Sequence, residues 1–125
     1  VLLPWNYAMS QNPVYTENFR KLIDLCKIRN IAVQTIKSVC RRPWPEGVKT
    51  HATWYQPLEQ QEDINIAVAY ILAESDFFLN SVGDINILPK VLKAAELFSN
   101  GKIKVPEPEE LADMQSRTGM NPLFV

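Results

Sequence analysis

The sequence predicts an α/β fold in which three parallel strands alternate with helices. Three observations support this prediction. The segments that resemble strands are apolar throughout and do not alternate, which is typical of parallel strands covered on both faces. The segments between them repeat apolar residues at helical spacing. An order of strand, helix, strand, helix, strand implies parallel pairing through right-handed crossovers.

The first part of the chain supplies two strands and one helix. Residues 1–3 (VLL) form an apolar run and predict the first strand. Thr16 is predicted to cap a helix that ends at Asn30. The apolar stripe of this helix consists of Phe19, Leu22, Ile23 and Cys26. Residues 31–39 (IAVQTIKSV) are rich in β-branched side chains and predict the second strand.

A long connection over residues 40–59 follows and has neither a helical nor a strand period. It is much longer than the ~2–6 residues usual for a connection from a strand to a helix. The segment is therefore either a functional loop or an element that the pattern does not reveal. Its two tryptophans, its tyrosine and its histidine could wall a pocket or form a hydrophobic plug.

The last part of the chain supplies a strand between helices. A helical stripe runs to about Glu74, and residues 77–82 predict the third strand. Asp84 is a natural N-cap for a third helix, which the Asn100-Gly101 pair ends. Acidic residues after Pro108 begin a final short helix within a C-terminal helix and tail over residues 106–125.

Composition excludes several classes of function. The net charge is -1, with 13 basic and 14 acidic residues mixed along the chain, so nucleic acid is not an expected partner. No apolar run is long enough to cross a membrane, so no membrane partner is expected. Cys26 and Cys40 lack the spacing of a redox or zinc motif, and His51 has no second ligand at metal spacing. We therefore expect a protein of the reducing cytoplasm with buried thiols and no metal.

The loops that leave the carboxyl ends of the strands are where a parallel sheet binds ligands. Lys37 and Ser38 lie at the end of the second strand, where a lysine can face an anionic ligand or extend past the rim into solvent. The turn from Ser81 to Asp84 precedes a helix, and its amides can hold a phosphate group. Arg41 and Arg42 fit a solvated pair better than a phosphate clamp.

Several segments, in this order, resemble the C-terminal half of a bacterial branch of the aldo-keto reductase family. They are LLPWNY at 2–7, ENFRKLIDLCKIRNIAVQTIKSVCRRPW at 17–44, TWYQPL at 53–58, INIAVAYILAE at 64–74 and VGDINILPKVLKAAELF at 82–98. The resemblance implies a partial (β/α)8 barrel. The three strands would be the sixth to eighth of the barrel, with only its C-terminal half present.

The resemblance also implies which chemistry this chain contributes. The family's catalytic Asp, Tyr, Lys and His lie on the first half of the barrel, so no catalytic residue is expected here, and Tyr7, Lys37 and His51 are not substitutes. This half would bind the nicotinamide cofactor, NADP or NAD. By position, the cofactor contacts would be Ile36, Lys37, Ser38, Ser81, Val82, Gly83 and Asp84. Asp84 favours a free ribose hydroxyl over a 2′-phosphate, whereas Arg41, Arg42 or Lys90 could bind the phosphate, so both cofactors stay open.

The expected function is the cofactor-binding half of an NAD(P)-dependent oxidoreductase that reduces a small carbonyl substrate once the barrel is complete. The isolated chain is expected to be inactive. One alternative is a stand-alone half-barrel that binds a partner or a small ligand without catalysis. Another is a complete flavodoxin-like binding protein, which the abrupt start at Val1 disfavours.

The sheet is expected to meet another polypeptide, because three parallel strands leave two unpaired edges. That partner would be the N-terminal half of the barrel or a second copy of the chain. The apolar side chains of Leu2, Val33, Ile36 and Phe78 are expected to face open space until the partner covers them.

Overall fold

The computed structural model describes residues 1–124 and is a mixed α/β structure with a three-stranded parallel sheet and five helices within that range. In chain order the elements are β1 (Leu2–Pro4), α1 (Tyr7–Ser10), α2 (Pro13–Ile28), β2 (Gln34–Ile36), β3 (Cys40–Pro43), β4 (Tyr55–Pro57), α3 (Gln61–Leu72), β5 (Phe78–Leu79), α4 (Leu88–Ser99) and α5 (Pro108–Thr118).

The predicted parallel sheet is confirmed. Its strand order is β1-β2-β5, and both pairs are parallel, so the three strands are neighbours in chain order. Both later strands are shorter than the sequence predicts. β2 ends at Ile36 because Lys37 adopts a left-handed φ of 67° and begins a turn that Cys40 closes. β5 ends at Leu79, one residue before Asn80 donates a last ladder bond to Thr35.

The start of α2 differs from the prediction. The N-cap is Asn12, whose side chain accepts from the amide of Tyr15, and Pro13 occupies the first helical position. Thr16 therefore lies inside the helix, and its hydroxyl donates to the carbonyl of Ser10. The extra turn, α1, was not predicted.

Residues 40–59 contain a hairpin and are not a loop without regular structure. β3 and β4 pair antiparallel, with an irregular register between Cys40 and Arg42. The side chain of Arg42 donates to Gln56 across the pair, and the Trp44 indole donates to the carbonyl of Thr53. The long connection is therefore held by its own side chains.

Two apolar clusters hold the helices to the sheet. α3 and α4 pack together over the larger cluster, which includes Leu58, Ile64, Val68, Val91, Met114 and Met120. The smaller cluster joins α2 to the sheet through Trp5, Phe19, Ile23, Cys26, Val33, Ile71 and Phe77. Cys26 and Cys40 are buried free thiols, and no helix in residues 1–124 has the length and apolar character needed to cross a membrane.

One face of the sheet carries no helix. Register and alternation place Leu2, Gln34, Ile36 and Phe78 on this open face, where Leu2 is 57% and Phe78 is 66% exposed. The expectation for Val33 is wrong, because this side chain is buried in the α2 cluster. Ile36 lies three positions after Val33 along an extended segment, so the two side chains point to opposite faces.

The larger cluster gives a test of the packing. Ile64 is fully buried, so Ile64→Ala should lower the free energy of unfolding by about 2–5 kcal/mol. Leu92 is exposed on α4, and Leu92→Ala should change it by less than about 0.5 kcal/mol. Urea unfolding followed by circular dichroism measures both values. Equal values for the two variants would contradict the described packing of α3.

Candidate functional site

The segments that follow β2 and β5 lie on one side of the sheet and line a cleft of about 280 Å³. The middle strand ends at the floor of the cleft, and the hairpin and the turn after β5 form its walls. Its lining residues are Ile36, Lys37, Ala52, Thr53, Trp54, Tyr55, Ser81 and Gly83. The structure therefore brings together Ile36, Lys37, Ser81 and Gly83 from the two predicted segments.

Lys37 is the cation of the cleft. Its ammonium nitrogen lies 4.6 Å from the centre of the Trp54 ring and 5.5 Å from the centre of the Phe124 ring. Its carbonyl accepts from the side chain of Asn6 and from the amide of Cys40, which fixes the backbone. Partial burial lowers the pKa of the Lys37 ammonium.

The turn after β5 presents backbone donors. Ser81 and Gly83 are exposed, and within residues 1–124 no acceptor makes a hydrogen bond to the amides of Ser81, Val82 or Gly83. A β-carbon added to Gly83 would meet no atom within 4 Å, so the space beside the turn is open. Free amides beside a lysine can bind an anionic group.

Asp84 has a different environment from the cleft residues. Its carboxylate accepts from the amides of Ala52 (2.8 Å), Asn86 (2.9 Å) and Ile87 (3.1 Å). The bond from Ala52, with those from Asn86 and Ile87, holds the pKa of this carboxyl below its ordinary value of 3.8. Asp84 thus ties the hairpin loop to the turn that precedes α4.

Ser38 and Val82 are also predicted contact residues, and both are buried beside the cleft. They do not line it, and neither does Asp84. Of the predicted contact residues, four therefore line the cleft, and the other three are buried and do not line it.

The aromatic residues of the hairpin serve two purposes. Trp54 and Tyr55 wall the cleft, whereas Trp44 and His51 stack on each other at 6.2 Å between ring centres and order the loop. Burial raises the pKa of the Tyr55 phenol, which therefore keeps its proton. Phe124 was missed by the sequence reasoning, because no local pattern links it to the cleft.

Cys40, Arg41 and Arg117 are three reactive side chains outside the cleft, and each is either buried or already bonded. Burial raises the pKa of the Cys40 thiol to about 12, so this thiol is not a nucleophile at neutral pH. Among residues 1–124, no group of three His, Cys, Asp or Glu side chains is placed to hold a metal ion. A larger cleft of about 440 Å³ lies beside α3 and α5, but its Arg117 pairs with Asp63, and its Arg41 donates to the carbonyl of Thr118.

No protein family, curated protein or solved structure matches the chain. The assignment of a function therefore depends on the resemblance of the segments and on the geometry of the cleft.

The three hydrogen bonds that Asp84 accepts from Ala52, Asn86 and Ile87, here called the Asp84 clamp, predict a pH dependence of stability. Because its folded pKa is lowered, its contribution is complete above about pH 3.8 and is lost as the pH falls through the folded pKa. Asp84→Asn should therefore cost about 1–3 kcal/mol of unfolding free energy at neutral pH and less at acid pH.

Urea unfolding at several pH values checks this difference. The exposed Asp24 on α2 supplies the matched control, since Asp24→Asn should leave the free energy of unfolding nearly unchanged at every pH. A difference between wild type and Asp84→Asn that does not shrink on acidification would contradict the clamp.

Proposed function

We propose that this chain is the cofactor-binding part of an NAD(P)-dependent oxidoreductase that resembles the aldo-keto reductases and acts on a small carbonyl substrate. The observation that carries the proposal is the cleft at the carboxyl ends of the parallel strands, which is lined by Lys37 and by Ser81 and Gly83 with their free amides. This is the side of a parallel α/β sheet where ligands bind.

The residues present suit a phosphate-bearing ligand with an aromatic ring. The Lys37 ammonium and the amides of Ser81 and Gly83 supply positive charge and donors for a pyrophosphate. Ile36 and Trp54 supply apolar surface for a ring. Pockets that enclose ligands of drug size have volumes of ~300–1,000 Å³, so a cleft of about 280 Å³ takes only one part of a dinucleotide.

The cofactor, when bound, supplies the hydride. The residues of this chain bind and orient it and exclude water from one side. We assign none of them as catalytic. Transfer of hydride to a carbonyl needs a positioned proton donor, and the raised pKa of the Tyr55 phenol makes that group a weak acid at neutral pH.

The proposal covers NADP and NAD alike. Asp84 does not present a free carboxylate, because its oxygens accept from the amides of Ala52, Asn86 and Ile87. It is also buried and does not line the cleft, so it makes no direct contact there with either a 2′-phosphate or a ribose hydroxyl. The two buried free thiols agree with a reducing compartment, and we propose the cytoplasm.

We propose that the rest of the barrel, as a complementary half, covers the open face. The outer edges of β1 and β5 have no strand partner within residues 1–124, and Leu2 and Phe78 are exposed beside them. Unpaired edges and exposed apolar side chains favour association. The same observation supports the second candidate function, a half-barrel that binds a partner or a small ligand without catalysis.

Cofactor binding is testable with the chain itself. NADPH and NADH should each bind to the chain. Lys37→Met should lower both affinities by about tenfold, because the substitution removes a charged hydrogen-bond donor. Lys49→Met, in the exposed loop between β3 and β4, should leave the affinity unchanged. Calorimetric titration measures the affinities.

The same preparations should reduce no aldehyde with either cofactor. Turnover by the pure chain would contradict the assignment of the catalytic residues to the other half of the barrel. Equal affinities for wild type and Lys37→Met would show that the cleft is not the cofactor site.

Association through the open face is a separate prediction. The isolated chain should elute above its monomer mass of 14.3 kDa in size-exclusion chromatography with light scattering. The double substitution Leu2→Glu and Phe78→Glu should lower the measured mass toward that of the monomer, because the two carboxylates place negative charge on the open face. Ile28 is 82% exposed at the end of α2, and Ile28→Glu is the matched control. A wild-type monomer that melts cooperatively would overturn the proposed association.

A further inference from the structure

The chain after α5 returns to the mouth of the cleft. Phe124 lies 6.2 Å from Trp54 between ring centres, and the Lys37 ammonium is close to both rings. Phe124 also borders a shallow hollow formed by Asn12, Val14, Tyr15 and Asn18. It therefore spans the space between the hairpin that follows β2 and the start of α2.

The root of this segment is anchored, and Phe124 at its far end is partly exposed. Gly119 ends α5 with a left-handed φ of 64°, and Met120 is buried in the larger cluster. The amide of Asn121 donates to the carbonyl of Arg41 at 2.7 Å, which ties the segment to β3. Phe124 is 45% exposed, and its described ring contacts are those with Trp54 and Lys37.

The Lys37 ammonium faces two competing partners. An aromatic face attracts a cation, and the attraction strengthens when the cation is partly removed from water. Lys37 is partly buried, so water is partly removed from it, and this lowers the pKa of its ammonium. An anion bound at the amides of Ser81 and Gly83 would attract the same ammonium across the cleft.

We propose that residues 120–124 act as a strap that holds the Lys37 ammonium against Trp54 and Phe124 and withholds it from an anion in the cleft. Binding of an anion and release of Phe124 are then coupled, and the coupling is reciprocal. The inference rests on the proposed function only in that the cleft takes an anion, and it does not require that the anion be a nicotinamide cofactor.

Phe124→Ala tests the strap in the full chain, with inorganic pyrophosphate as the probe. The variant should bind pyrophosphate about threefold to tenfold more tightly by calorimetric titration. Phe124→Trp keeps an aromatic face and should bind as wild type does. In the Lys37→Met background, Phe124→Ala should have no effect, which gives a double-mutant cycle.

A second readout does not depend on any ligand. A short pulse of acetic anhydride, read by mass spectrometry, should acetylate Lys37 about threefold faster in Phe124→Ala than in wild type, with the exposed Lys49 as internal reference. Circular dichroism melting should be unchanged, since Phe124 is half exposed.

The outcomes separate this inference from the proposed function. Pyrophosphate binding that is unchanged or weakened by Phe124→Ala would overturn the strap, and so would a failure of every variant to bind pyrophosphate. Tighter binding of pyrophosphate together with no binding of NADPH or NADH would support the strap and overturn the cofactor assignment. NADPH binding with the same affinity in wild type and in Phe124→Ala would support the cofactor assignment and overturn the strap.

Discussion

The backbone conformation of Lys37 is the constraint on which the site depends. Its φ of 67° ends β2, and its carbonyl accepts from Asn6 on one side and from Cys40 on the other. The first bond fixes the loop after β1, and the second starts the hairpin. A left-handed conformation costs a non-glycine residue about 1–3 kcal/mol and persists only where its surroundings enforce it. Here the loop after β1 and the start of the hairpin hold Lys37 through these two bonds. The conformation of this one residue therefore fixes the end of β2 relative to both segments.

Asp84 is the second residue that holds the walls of the cleft in place. The carboxylate of Asp84 accepts from Ala52 in the hairpin loop and from Asn86 and Ile87 in the turn before α4. The two walls of the cleft are therefore one unit. The Asp84 carboxylate accepts from Ala52, Asn86 and Ile87 and from none of the amides of residues 81–83.

The sequence predicts features that depend on residues close together in the chain, and it does not predict those that depend on tertiary packing. The helices were predicted from their apolar periodicity and the parallel strands from their apolar composition, and both were predicted within a few residues. Two predicted caps were wrong, because the N-cap of α2 is Asn12 and not Thr16, and that of α4 is Ile87 and not Asp84. The hairpin was not predicted, because strands of three and four residues that contain Pro43 and Pro57 have no detectable period. The lining residue Lys37 was predicted because parallel strands end on one side of a sheet, whereas Ile36 was named only from the position that the resemblance implies. Phe124 was not, because its position depends on how α5 packs.

Ile36 connects the cleft to the open face. It lies on the same face as Gln34 and lines the cleft as well, so the floor of the cleft is continuous with the uncovered surface of the sheet. A partner that packs on Leu2 and Phe78 would therefore also close the cleft at Ile36 and add to its volume. The cleft and the exposed side chains of Leu2 and Phe78 therefore lie on the same side of the sheet, and Ile36 is the residue that joins them. A layer packed on this side would remove Ile36 from water, and so would a ligand in the cleft.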